Sequence, residues 1–331
     1  VLPLSALLLG LLAFALAWPV PVVLGRAAWT RRDPLAALVC WQAVGLAGGL
    51  SIIGALLVHG LSPWGGSLPE AWWAWLRHWF TGAQPADPVR GDHWVAQTLA
   101  AVLALELVGV LVLSLVRTAR TRARHRALLE LLVDPVPGVD ARVLESPVPA
   151  AFCIPGARPL LVLSSGMVAE LAPGELAAVV AHERAHLAER HHLLLLPFVA
   201  WREALPVLPA ADRAHDAVRD LVEMRADDVA LRSLAGASSR RTLAKAIVAA
   251  ADGGAPRGAL AAGGGVLTTR VTRLLDPPAP LPRWARPLAV GSAVALGGGP
   301  TLLAGSYKHL KRPTKLLVEN LGGAGIINKK R

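Results

Sequence analysis

Long uncharged apolar stretches dominate the first third of the chain. Residues 1–25 contain no charged side chain, 34–69 contain none, and 94–116 contain only Glu106. Each stretch can cross roughly 30 Å of hydrocarbon at about 1.5 Å of helix rise per residue, so three membrane-spanning helices are predicted. The first reads as a span rather than a cleaved leader, because it lacks a basic start and its apolar run is too long. A fourth apolar stretch, 287–305, is interrupted by Gly297, Gly298, Gly299 and Pro300 and reads as a weak, broken or re-entrant span.

The polar residues between these stretches set an orientation. Arg26, Arg31 and Arg32 separate the first two, and Arg117, Arg120, Arg122, Arg124 and Arg126 follow the third. The connection 61–93 has only Arg77 and Arg90 against Glu70, Asp87 and Asp92. Because Arg and Lys accumulate on the cytoplasmic side, the N-terminus is expected outside and residues from 117 onward inside. Trp64, Trp72, Trp73, Trp75, Trp79 and Trp94 cluster in and beside the outer connection, as an interfacial aromatic belt does.

Patterning changes after the arginine cluster. Segments 142–145, 151–154 and 160–163 read as short strands, the last two forming a hairpin around Pro155-Gly156. Pro173 opens a helix expected to run unbroken to 195, before Pro197. Further helices are expected over about 215–233 and 239–251, with a flexible Gly/Ala-rich loop at 253–265 and a proline linker at 277–280. The fold class is therefore mainly α. A three-helix transmembrane region (1–116) with its outer Trp-rich loop (61–93) precedes a cytoplasmic α+β domain (117–283), a fourth membrane segment (284–306) and a tail (307–331).

Composition narrows the function classes. With 54% hydrophobic and 17% charged residues and a mean hydropathy of +0.48, the chain is neither disordered nor an ordinary cytosolic globule. Cys40 and Cys153 are the only cysteines, too few for a disulfide framework or a cysteine-rich metal site. Any metal must rest on His and carboxylates. The net charge of +11 points toward nucleic acid, but the tail alone carries seven of the 34 basic groups against one acid, Glu319. The rest has the modest excess of a membrane protein, so the expected partner is the lipid bilayer, with no direct nucleic acid. The tail also holds five of the six lysines, Tyr307 and both asparagines, and is read as foreign in origin.

The chemistry centres on His182-Glu183-Arg184-Ala185-His186. Histidines four residues apart share one face of a helix and can fill two corners of a tetrahedral Zn²⁺ site. Glu183, rotated by about 100°, stands beside the ion rather than on it. Zinc lowers the pKa of water and polarises a carbonyl, while the carboxylate moves a proton from water to the leaving amine. A catalytic site needs one more ligand and an open corner.

Three side chains compete for the third position. His192 is well spaced, but on an unbroken helix His191 and His192 point away from the pair. Glu189, seven residues after His182, shares its face and could accept an imidazole N–H. Glu223 lies in Glu223-Met224-Arg225-Ala226-Asp227, where two carboxylates one turn apart allow Glu223 to reach the metal and Asp227 to hydrogen-bond a ligand. Asp216 and Asp220 lie on the same side. For the oxyanion, His215 and Arg219 are the positively chargeable candidates. Cys153 is read as a small core residue and Cys40 as packing within a span.

The order of three spans, an HExxH domain and a fourth apolar segment resembles the BlaR/MecR-type integral-membrane metallopeptidases, receptors that sense β-lactams in some bacteria. The run from Ala151-Phe152-Cys153-Ile154-Pro155-Gly156 to Leu163-Ser164-Ser165-Gly166, with the residues from Glu175 to Glu183, is similar both to that family and to the related Ste24/HtpX-like membrane proteases. The resemblance implies a gluzincin-like domain with Zn²⁺ as cofactor. By it His182, His186 and Glu223 are ligands, Glu183 is the base, and the strand around Leu160 to Ser164 is the edge that pairs with substrate. It further implies a protein substrate, with a transcriptional repressor as the candidate. The extracellular penicillin-binding domain of the receptors is not expected here, so direct β-lactam sensing is not expected either. The reading is thus a membrane-embedded zinc endopeptidase. A non-catalytic sensor or scaffold with structural zinc, or a quality-control protease of the Ste24/HtpX kind, are the alternatives.

Overall fold

A computed structural model describes residues 2–130, 133–135, 141–156, 159–205, 209–234, 236, 239–254 and 259–305; the basic tail 307–331 lies outside them. The chain opens with α1 (Leu2–Ala17) and α2 (Pro19–Arg26), then α3 (Pro34–Gly60), α4 (Leu68–Thr81) and α5 (Gly91–Glu130). Strands β1 (Val133–Pro135), β2 (Arg142–Leu144), β3 (Ala151–Ile154) and β4 (Leu160–Ser164) follow. The remaining helices are α6 (Ser165–Glu170), α7 (Pro173–Ala188), α8 (His191–Ala204), α9 (Pro209–Ser233), α10 (Ser239–Gly254), α11 (Ala259–Leu275) and α12 (Ala285–Gly305).

Four segments are helical, long and apolar enough to cross a membrane: Leu4–Arg26, Pro34–Gly60, Gly91–Leu129 and Ala285–Ala304. Leu7, Leu11 and Phe14 of α1, and Val102, Leu105 and Val108 of α5, are exposed, a surface that suits lipid and not water. The fourth stretch differs from expectation, because α12 runs unbroken through Gly297 to Pro300. A proline removes a single helical hydrogen bond, and the apolar residues on either side continue the helix. The expected loop at 253–265 is also corrected, since α10 reaches Gly254 and α11 already begins at Ala259.

The described chain divides into two compact units. Of the described residues, the first comprises 2–13, 47–103 and 298–305. Leu9 and Val58 are its most buried apolar contact, with Ala6 and Ala55 around them. A second cluster joins Leu61, Trp64 and Ala71, and Trp72 and Trp75 stack with ring centroids 5.3 Å apart.

The second unit comprises 14–46 and 104–297. Its sheet has the order β1-β2-β4-β3: β2 and β4 are parallel, and β3 and β4 form the expected antiparallel hairpin, with Ala151 opposite Leu163 and Ile154 opposite Leu160. β4 is therefore central, and Leu161, Val162 and Leu163 are all buried. The strand around Leu160 to Ser164 is thus not the edge, and β3 is the edge strand on that side. Leu161, Leu163, Met167, Ala178, Ala230 and Leu243 belong to one buried cluster that joins the sheet to α6, α7, α9 and α10. A second core packs Ala37, Leu38 and Trp41 of α3 against Phe198 of α8 and Val218, Leu221 and Val222 of α9.

Local chemistry fixes the helix starts. Asp33 Oδ1 accepts the Ala36 amide at 3.0 Å at the start of α3. Ser164 Oγ accepts the Met167 amide at the start of α6 and the Ala150 amide from the neighbouring loop. Glu175 reaches back to the Ala172 amide at the start of α7, where Pro173 occupies the first turn. At the start of α6 the backbone closes on the loop between β2 and β3: the Gly166 amide donates to Ser146 O at 2.9 Å, and a Cβ at Gly166 would collide with Pro147 O. Gly166→Ala is expected to destabilise the second unit by about 1–3 kcal/mol, read as a lower melting temperature in detergent. Gly174→Ala, whose Cβ would meet only Thr242 Cγ2 at 3.8 Å, is expected to be neutral or slightly stabilising.

Candidate metal centre

Helix α7 packs against α9 through small side chains, with Ala178 and Ala230 both fully buried, and this closeness brings the polar residues of the two helices together. The Nε2 atoms of His182 and His186 lie 3.1 Å apart. Glu223 Oε2 is 3.4 Å from His182 Nε2, and Glu223 Oε1 is 3.5 Å from His186 Nε2. These three side chains form a group able to hold a metal ion. Tetrahedral ligands at zinc bond lengths of about 2.0–2.1 Å stand roughly 3.3–3.4 Å from one another, so the spacing matches the edges of such a site.

The electrostatics also call for a cation. Burial alone would discharge His182, but Asp227 and Glu223 beside it outweigh burial and raise it to about 9. Glu223 is opposed by burial, yet His182, Arg270 and His186 hold its carboxyl down to about 2. Burial dominates at His186, which is pushed down to about 4 despite Glu223. Positive charge is thus held between the imidazoles by two carboxylates, and a divalent ion supplies that charge without a proton. His182 Nδ1 is buried, 2.9 Å from Asp227 Oδ1. The donor set fits a zinc ion held by Nε2 of both histidines and by Glu223.

Each imidazole is backed, directly or through a second imidazole, by a carboxylate that an arginine clamps. Behind His182 stands Asp227, which accepts from Arg270 Nε at 2.9 Å and Arg270 Nη2 at 2.7 Å. Arg270 Nη1 also lies 2.9 Å from Glu223 Oε2, so one guanidinium from α11 holds both Glu223 and Asp227 of α9. Behind His186 stands His191, with the two Nδ1 atoms 3.0 Å apart. His191 Nε2 lies 3.2 Å from Glu189 Oε2, and Glu189 accepts from Nε and Nη2 of Arg225. If His186 Nε2 faces the ligand point, its Nδ1 carries the proton toward His191, and the proton of His191 then faces Glu189.

This second chain of contacts exists because the long helix breaks. Arg190 is left-handed, with φ of 50°, so α7 stops at Ala188 and α8 begins at His191 and continues through Pro197. His191, expected to point away, is instead buried against His186; His192 lines a cavity beside the site. Glu189 does accept an imidazole proton, but that of His191. Sequence reasoning missed His191, Arg225 and Arg270: no Gly or Asn marks position 190, and nothing local links Arg270 to Asp227. Of the oxyanion candidates, Arg219 lines the cavity beside His186 and Glu223, and His215 is not among its walls. His215 contacts Asp216 at 3.5 Å, and Arg219 lies near Asp216 and Asp220.

Glu183 is half-buried and faces β3, where Cys153 lies within hydrogen-bonding reach. Burial raises the Glu183 carboxyl above its ordinary range. Burial, and then Glu183, push the Cys153 thiol up to about 12, so Cys153 remains a neutral donor toward that carboxylate. A cavity of about 600 Å³ opens beside His186 and Glu223, with Leu128, Leu129, Phe152, Ile154, Leu195 and Val222 among its walls.

Residues 115–208 match the family model described as Peptidase family M48. The match takes in the sheet, α7 with His182, Glu183 and His186, and α8, and it ends before Glu223. This part of the chain is similar to a family of metal-dependent peptidases, typically zinc enzymes; the match does not single out the penicillin-sensing receptors. No curated protein and no solved structure matches.

His191→Ala is expected to weaken zinc binding by roughly 10–100-fold, measured by competition with a chromogenic chelator. His192→Ala is expected to leave the affinity within twofold, an order-of-magnitude bound for a side chain outside the contact chain.

Proposed function

We propose that this chain is a membrane-embedded, zinc-dependent endopeptidase of the gluzincin type that hydrolyses peptide bonds in a protein substrate. The observation that carries the reading is the convergence of His182 Nε2, His186 Nε2 and a Glu223 oxygen at tetrahedral spacing, with Glu183 on the next position of the same helix. When bound, the zinc ion supplies Lewis-acid polarisation of the scissile carbonyl and acidifies water.

The chain's own residues do the rest. His182, His186 and Glu223 are the ligands. Asp227 orients His182, and Glu189 orients His186 through His191. Glu183 takes a proton from the attacking water and returns it to the amine nitrogen as the C–N bond breaks; its raised carboxyl suits a group that must accept a proton. The free edge of β3 offers backbone N–H and C=O groups to an extended peptide.

The arginine distribution supports a cell-membrane location with the N-terminus outside and the catalytic residues in the cytoplasm. The domain organisation proposed from the sequence follows from that orientation. A transcriptional repressor as the substrate rests on the resemblance to the BlaR/MecR type alone, and a quality-control role rests on the resemblance to the Ste24/HtpX type.

Full-length protein in detergent, loaded with zinc and given fluorescent casein, tests the reading. Cleavage is expected to stop with 1,10-phenanthroline and return on adding zinc. Glu183→Gln is expected to lower the rate by roughly 10²–10⁴-fold while elemental analysis still finds one zinc per chain. Full zinc occupancy without cleavage by the wild-type protein would favour the structural-zinc scaffold. Absence of bound zinc would overturn both readings.

A further inference from the structure

Most arginines around the metal centre have an acid: Arg225 has Glu189, Arg270 has Asp227 and Glu223, and Arg273 has Asp228. Arg122 differs. It projects from α5 into the wall of the cavity at His186 and Glu223, is only half-exposed, and has no acidic partner among the described residues. A partly buried cation without a counter-charge gives up some of its hydration for nothing in return, and a ligand that brings an anion offsets that loss.

The surroundings say which ligand. Arg122, Ile154, Pro155, Leu187 and His192 line both this cavity and a larger adjoining one of about 960 Å³. The adjoining cavity is also lined by Arg126, Arg184 and Arg190, and no Asp or Glu is among its described lining residues. The shared wall contains the end of β3, the free edge of the sheet. An extended chain paired on β3 therefore has the apolar cavity on one hand and a run of guanidinium groups on the other.

Resting on the peptidase reading, we propose that the site selects acidic protein segments. A bulky aliphatic or aromatic side chain fills the cavity beside the metal ligands, and neighbouring Asp or Glu residues of the same segment lie against Arg122 and the arginine-lined cavity. Arg122 is the specificity-determining residue. The geometry favours peptide over an anionic lipid headgroup, because the cationic cavity continues into the apolar one at the metal and shares a strand edge with it.

The test uses zinc-loaded full-length protein and peptides that carry one leucine and flanking residues that are all Glu, all Gln or all Lys. Wild type is expected to cleave the Glu series with the highest kcat/KM, with most of the difference in KM and with the preference shrinking as salt rises. Arg122→Glu is expected to lower kcat/KM for the Glu series by roughly tenfold and to raise it for the Lys series. Arg124→Glu, exposed on the same helix and outside both cavities, is the control and is expected to keep the wild-type order. Zinc content verifies that each variant is folded.

A parallel arm measures binding of labelled Glu and Lys peptides to the Glu183→Gln protein, with and without Arg122→Glu. If the wild type hydrolyses nothing yet binding shows an acidic preference that Arg122→Glu reverses, the peptidase reading fails and the acidic selectivity stands. If Arg122→Glu leaves the order unchanged in both arms, the inference is overturned. It is equally overturned if the variant loses only its affinity for anionic-lipid nanodiscs, which would assign the arginines to lipid.

Discussion

Two imidazoles and two carboxylates cannot be packed into a half-dry cleft unless positive charge is placed among them. His182, His186, Glu223 and Asp227 meet under that constraint, and the helices around them are arranged to satisfy it. Arg270 supplies one positive charge from α11, and the tetrahedral spacing of the three donor atoms leaves the position for a second. The demand extends outward, because an imidazole facing an ion with one nitrogen must dispose of a proton on the other. His182 does so toward Asp227 directly and His186 toward Glu189 through His191, each acid being held by two guanidinium nitrogens. Four helices, α7, α8, α9 and α11, therefore meet in one charge-balanced network.

The network explains why the backbone departs from regularity where it does. An unbroken helix after His186 would carry His191 away from the site. One left-handed residue, Arg190, turns the chain so that the next residue lies under His186. Left-handed backbone is uncommon for a non-glycine residue, and the contacts of Glu189 with His191 and Arg225 on either side of it are the compensation. The same turn places His192 on the cavity wall and so ties the shape of the cavity to the support of His186.

Much of this arrangement was legible in the sequence. Helical spacing put His182 and His186 on one face with Glu183 offset, and the ExxxD spacing put Glu223 and Asp227 one turn apart. The structure brings His182, His186, Glu223 and Asp227 together. The hairpin of β3 and β4 followed from two short apolar runs around Pro155-Gly156, and the apolar spans from unbroken hydrophobicity. What could not be read is what depends on distant partners. Arg270 meets Asp227 across 43 residues, and β4 lies at the centre of the sheet because β2 pairs with it from the far side. Pro197 and Gly297 to Pro300 carry the local signature of a break, yet α8 and α12 run through them, since each proline costs one hydrogen bond and the surrounding apolar residues sustain the helix.

The core shared by α3, α8 and α9 bears on how this machinery could be carried by a smaller protein. Ala37, Leu38 and Trp41 form one side of that core, with Leu24 and Trp29 packed against it, and Gln42 donates to the Leu194 carbonyl at 2.8 Å. A fragment that began after the third apolar helix would present Phe198, Val218 and Leu221 to solvent and lose the anchor on α8. Separating the second unit's later helices from α3 in water would therefore require repainting that surface with polar residues, since simple excision leaves an apolar face bare.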